Sequence, residues 1–170
     1  MTRVNMQIKG VREVKQKLLD LKKRIQNWTP IEDTIHDLFI ARMDKAFQTS
    51  GRSEGNAWAS YGAEPKYAAY KRAMVGHNDL LRWEKGGTYE MLYPSLMEKG
   101  HSNHIWNRTG LTSFEYGTSV AHARQIEQDH QGPFGEISAG REFSYIGNAT
   151  TSMIAETVLD WVLLGKGGSS

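Results

Sequence analysis

The residues of this 170-residue chain with types suited to chemistry are six histidines, nineteen carboxylates and a cluster of bases near the N-terminus. His101 and His104 stand three apart, as metal ligands sometimes do, and Asp129-His130 lies downstream. A zinc helix of the HExxH kind needs two imidazoles and a general-base Glu on one face, and that pattern is absent. His101 to His104 follows Gly100 and reads as loop, so the pair is not held on a common face, and two ligands do not make a three- or four-ligand site. A metal-dependent hydrolase built on His101, His104 and His130 is the weakest of the readings kept. No cysteine is present, which removes disulfides, thiolate metal sites and a cysteine nucleophile.

The other enzyme signatures are equally incomplete. Gly117-Thr118-Ser119-Val120 lacks the second glycine of a nucleophile elbow. Glycines 86, 87, 132 and 135 form no phosphate loop, since neither G-K-[ST] nor G-x-G-x-x-G follows a strand. Glu127 and Asp129 are a carboxylate pair of the sort glycosidases use, but any chain with nineteen acids offers such pairs. Asn107-Arg108-Thr109 and Asn148-Ala149-Thr150 match a glycan acceptor, which means little without a secretion signal. The residues make no positive case for an enzyme, a cofactor or a resident metal.

Charge is the more informative feature. Residues 1–30 hold eight bases against Glu13 and Asp20, a net +6, whereas the remainder holds 13 bases against 17 acids, a net −4. A basic end on an acidic body fits nucleic acid, an acidic neighbouring protein, or the body of another copy; a plain solvated helix face is the alternative. Lys15, Lys22 and Lys23 are the bases to test. No aromatic residue is interleaved with them before Trp28, which weakens single-strand binding.

These groups must be positioned by secondary structure. Val4, Met6 and Ile8 alternate with polar residues before Gly10, the pattern of a short strand. Val11, Val14, Leu18, Leu21, Ile25 and Trp28 then recur at three and four, the seam of an amphipathic helix with bases opposite. Thr29-Pro30-Ile31-Glu32 reads as a capping box opening a second helix, with Ile31, Ile35, Leu38, Phe39, Met43, Ala46 and Phe47 on one side and a stop near Thr49 to Gly51. The two apolar seams must find a sheet or a partner. From Gly51 to Gly76 the chain reads as an ordered irregular excursion with a short helix around Tyr67 to Met74. Trp58 and Tyr61 divide between plugging the core and meeting a partner. Leu80 to Leu96 reads as broken helix, interrupted at Gly86-Gly87 and Pro94. His104 to Asn107 and Ser113 to Gly117 read as a hairpin, Val120 to Glu127 as a short helix, and His130 to Pro133 as a loop. Glu142 to Gly147 reads as a last strand or turn. A terminal helix covers about Thr151 to Leu164, with Ile154, Val158, Trp161 and Val162 on one face and Gly165 as its stop.

The order points to α+β: an N-terminal strand, two long helices, a small antiparallel sheet of short strands, and a C-terminal helix packed on that sheet. Residues 1–165 read as one domain and 166–170 as a flexible tail. No run approaches the roughly 20 apolar residues of a membrane span, and no leader is visible, so cytoplasmic folding is expected.

Several stretches resemble one family in order. Val4-Asn5-Met6-Gln7-Ile8-Lys9-Gly10-Val11, followed by a Leu-rich basic helix, looks like the start of small head-tail joining and tail-completion proteins of tailed phages. Gly55-Asn56-Ala57-Trp58-Ala59-Ser60-Tyr61, with Tyr70-Lys71 after it, is similar to the G-x-x-W-x-x-L region of the phage virion morphogenesis (tail completion) group. Met91-Leu92-Tyr93-Pro94-Ser95-Leu96 takes the place of its L-x-x-S-L-like helix. Tyr116-Gly117-Thr118-Ser119-Val120-Ala121-His122-Ala123 resembles its G-T-x-x-x-Y-A motif, with His122 where Tyr is usual. Ser138-Ala139-Gly140-Arg141-Glu142-Phe143-Ser144-Tyr145-Ile146-Gly147 resembles its P-A-R-x-F-x-G motif, with Gly140 intruding before Arg141. The resemblance implies a virion protein without catalysis, a tail terminator or neck ring subunit of commonly six copies. Its implied partners are further copies of itself, the tail tube protein and possibly the sheath, and the head-side connector or stopper. DNA only passes through the channel, no membrane is involved, and the location is the virion neck, or the host cytoplasm during assembly. A ring needs complementary patches. The basic first helix and the acidic remainder fit that need, and Arg141 suits either an intersubunit carboxylate such as Glu127 or Asp129, or an internal or solvent-facing role.

Overall fold

The computed structural model describes residues 11–58, 64–76, 92–121, 123, 130–131, 137–138 and 144–166. Among them the chain is mixed helix and strand, as the order of elements predicts. Helix α1 (Val11–Gln26) leads through a 3₁₀ turn (Thr29–Ile31) into α2 (Glu32–Thr49). A second 3₁₀ turn (Arg52–Glu54) precedes α3 (Pro65–Val75) and α4 (Leu92–Met97). Strands β1 (His104–Arg108) and β2 (Phe114–Thr118) pair antiparallel, with Trp106 opposite Tyr116. Short strands β3 (His130–Gln131) and β4 (Ile137–Ser138) pair separately, and α5 (Asn148–Leu164) closes the order.

The second helix buries the seam its spacing dictates: Ile35, Met43, Ala46 and Phe47 are buried, following Ile31 in the preceding turn. Met43, Ala46 and Phe47 join Trp58, Leu92, Leu96, Val120 and Ala123 in one core cluster, with Tyr67, Tyr93 and Tyr116 packed against it. Pro94 lies inside α4 instead of interrupting it. It occupies the first turn, where the missing N–H has no intrahelical acceptor to lose.

Three expectations are corrected. The capping box does not form: Thr29 starts the 3₁₀ turn, Ile31 caps α2, and no side chain caps either start. The capping groups are engaged elsewhere, since Thr29 Oγ1 accepts from Arg108 Nη1 at 2.8 Å and Glu32 Oε1 accepts from Trp106 Nε1 at 3.1 Å. Tertiary partners on β1 win over a local cap. His130-Gln131, expected as loop, is paired with Ile137-Ser138. The terminal helix begins at Asn148, and it packs on α2, the Arg52–Glu54 turn and α1 instead of on the sheet. The expected N-terminal strand, most of the Val120 to Glu127 helix, the segment 77–91 and residues 167–170 lie outside the described residues.

Candidate functional site

The histidine chemistry resolves into a pair, His36 buried and His104 half-buried, that the sequence did not suggest. His104 opens β1, as the hairpin pattern of His104 to Asn107 has it and the loop reading of His101 to His104 does not, and its Nε2 meets Nε2 of His36 on α2 at 2.8 Å. His104 Nδ1 lies 2.7 Å from the Ser95 carbonyl. A carbonyl only accepts, so Nδ1 carries the hydrogen, and His104 Nε2 accepts from His36 Nε2–H. The His36 ring is stacked on Trp106 with centroids 4.2 Å apart and planes within 1°. Tyr116 meets His36 edge-on and donates its hydroxyl to the Leu96 carbonyl at 2.6 Å. Burial, then the Lys99 and His104 charges, push His36 down from 6.5 to about 4, and burial raises the Tyr116 phenol. His36 is therefore neutral at ordinary pH, and its hydrogen bond to His104 works as a bolt joining α2, α4 and β1. His101 turns its Nδ1 to the Asn103 amide. Among the described residues no group of three or more His, Asp or Glu is placed to hold a metal ion.

A second polar knot fixes the terminal helix. Glu54 pairs with Arg42 of α2, while its Oε2 accepts from the Gly147 amide at 3.0 Å and from Thr150 Oγ1 at 2.6 Å. Arg42 Nε donates to the same Thr150 oxygen at 2.6 Å. The carboxylate thus satisfies the Gly147 amide at the start of α5 and holds the Thr150 hydroxyl, where the helix dipole also favours negative charge. Gly147 is required by close approach: a Cβ there would run into the Glu54 carbonyl oxygen.

At its other end α5 receives α1. Arg24 Nη1 donates to the Val162 and Leu163 carbonyls at 3.3 and 3.4 Å, covering orphan acceptors of the helix C-terminus. Its guanidinium lies 6.0 Å from the centre of the Trp161 ring, and Trp161 Nε1 donates to the Asn27 carbonyl at 3.0 Å. Gly165, at φ +67°, ends α5 beneath the Arg24 guanidinium in the left-handed conformation that favours glycine. Asp20, Lys23, Arg24, Asn27 and Trp161 line a shallow hollow in this joint.

The result inverts ordinary amphipathic packing. Asp20 and Arg24, on the polar side of α1, face α5, while three residues of the apolar seam look outward: Val14 is 58% exposed, Leu18 62% and Ile25 50%, with Leu21 and Trp28 half-buried. Leaving such side chains in water forgoes roughly 1 kcal/mol apiece. Every residue from Arg12 to Leu19 is exposed, so the first half of the helix stands off the body. Lys15 is exposed in that half, and Lys22 and Lys23 are exposed in the second. On α5, Leu159 and Leu163 are also more than half exposed, on the side away from the core, with Glu156 and Asp160 exposed beside them.

Of the other candidate residues, Trp58 is 7% exposed and edge-packed on Phe47 with centroids 5.2 Å apart, a place in the core cluster. Tyr61, Glu127, Asp129 and Arg141 lie outside the described residues. No family model matches the chain, and neither a curated protein nor a solved structure matches it. Among the described residues no helix is long and apolar enough to cross a membrane.

Proposed function

We propose that this chain is a structural subunit of a tailed-phage virion, a tail terminator or neck ring component that caps the tail tube and joins it to the head-side connector. What supports the reading beyond the ordered resemblance is α1, a helix bolted to the body by its polar side while Val14, Leu18 and Ile25 of its apolar seam stay in water. A chain acting alone gains nothing from that arrangement, whereas a subunit awaiting neighbours does. The histidine bolt and the Glu54 knot tie α2, α4, β1 and α5 into a fixed frame from which such a surface is presented. Deletion of the gene tests the reading. Tails that fail to join heads, or grow to wrong lengths, are the expected result, and normal, joined tails contradict it.

A second reading, a nucleic-acid-binding module, draws on the exposure of Lys15, Lys17, Lys22 and Lys23 along one helix. The side chains between them, Gln16, Leu18, Leu19, Asp20 and Leu21, include no aromatic ring and give nucleobases nothing to stack on. DNA affinity that falls steeply with salt and drops on neutralising Lys15, Lys22 and Lys23 would favour it over the assembly reading.

A further inference from the structure

The exposed seam of α1 carries information about what covers it. Val14, Leu18 and Ile25 lie on one side of the helix at spacings of four and seven, and at 100° per residue Lys15 and Lys22 border that stripe on one edge and Lys17 on the other. Helix α1 holds six bases and two acids. Its cover must therefore be a surface both apolar and acidic. Helix α5 offers one: its sequence holds Glu156 and Asp160 and no base, and both acids stand beside the exposed Leu159 and Leu163. The strip faces away from the side of α5 that holds Thr150, Ile154 and Trp161 against the body. The α1 of the same chain meets α5 at its C-terminal end through Arg24 and Trp161, and leaves this strip open.

We propose that the apolar seam of α1 in one copy docks on the outer strip of α5 in a second copy, with Lys15, Lys17 and Lys22 meeting Glu156 and Asp160. Two α1 seams repel each other by charge, as do two α5 strips, so the contact joins unlike faces. Contacts of that kind propagate head to tail and close into a ring when the rotation permits. The inference rests on the ring reading above and names the surfaces that build the ring. Docking also gives tertiary support to the first half of α1, a helical stretch too short to be stable alone in water.

The experiment uses two full-length variants, each altered only at solvent-facing positions so that the fold is kept. One carries Val14→Gln and Leu18→Gln, the other Leu159→Gln and Leu163→Gln. Circular dichroism and unfolding midpoints confirm that both fold, and light scattering reads the mass. The wild type is expected as an oligomer, each variant alone as a monomer, and their mixture as a two-chain complex, because one intact seam then meets one intact strip. A charge arm separates this pairing from general stickiness. Glu156→Lys with Asp160→Lys is expected to abolish assembly, and adding Lys15→Glu with Lys22→Glu in the same chain to restore it. Oligomers that persist in both Gln variants overturn this pairing while leaving the ring reading intact. Loss in the α1 variant alone assigns a seam-to-seam contact and overturns it. A monomeric wild type at its highest soluble concentration overturns it as well, and the gene deletion then still tests the neck role on its own.

Discussion

His36 shows how one side chain sets the pH range of the fold. Its folded pKa of about 4 lies below the ordinary 6.5, so above 6.5 neither state binds a proton and the bolt is at full strength. As pH falls from 6.5 to about 4 the unfolded chain takes up a proton that the folded one refuses, and stability drops by up to about 3 kcal/mol. Urea unfolding at several pH values should show this loss, and His36→Gln, which keeps an N–H for His104 Nε2, should flatten it. Glu54 makes the complementary case for charge. Glu54→Ala strands the Arg42 guanidinium in a buried site and is expected to cost about 3–5 kcal/mol by denaturant unfolding, while Arg42→Met with Glu54→Leu should recover most of that. Gly147→Ala, which drives a methyl into the Glu54 backbone, should cost about 1–3 kcal/mol.

At the scale of elements, α1 is expected to be unequal along its length. Residues Arg12 to Leu19 are exposed on every side, whereas Arg24 and the following Asn27 are tied to α5. Hydrogen exchange on the isolated chain should be fast in the first two turns and slower near Arg24, and assembly should slow the first two turns. What was legible in the sequence follows the same line between local pattern and distant contact. The alternation around Ile105 and Trp106 gave the β1–β2 hairpin, and the 3.6-residue period gave α1, α2 and α5, because each pattern is set by neighbours in the chain. The failure of the capping box came from Arg108 and Trp106, more than 70 residues away, which claim Thr29 and Glu32. Nothing local marks Glu54 as a partner of Thr150, 96 residues on, nor His36 as a partner of His104, 68 residues on. The one available hint was His36 lying beside Ile35 on an otherwise apolar helix face. The direction of the α1 seam was also hidden, since periodicity reports that a stripe exists and not what meets it.

For the whole molecule, an N-terminal basic helix and an acidic body follow from composition, and the structure turns them into two separate surfaces, the α1 seam and the α5 strip. Association through those surfaces mixes apolar burial with exposed charge pairs, so raising salt is expected to shift the oligomer toward smaller species without abolishing it, as sedimentation would record. The central claim, a structural subunit at the neck of a virion, is tested most directly by locating a tagged copy of the chain in purified phage particles. A closed ring of copies at the head-proximal end of the tail is the predicted image, and particles that are complete, infective and free of the chain would contradict it.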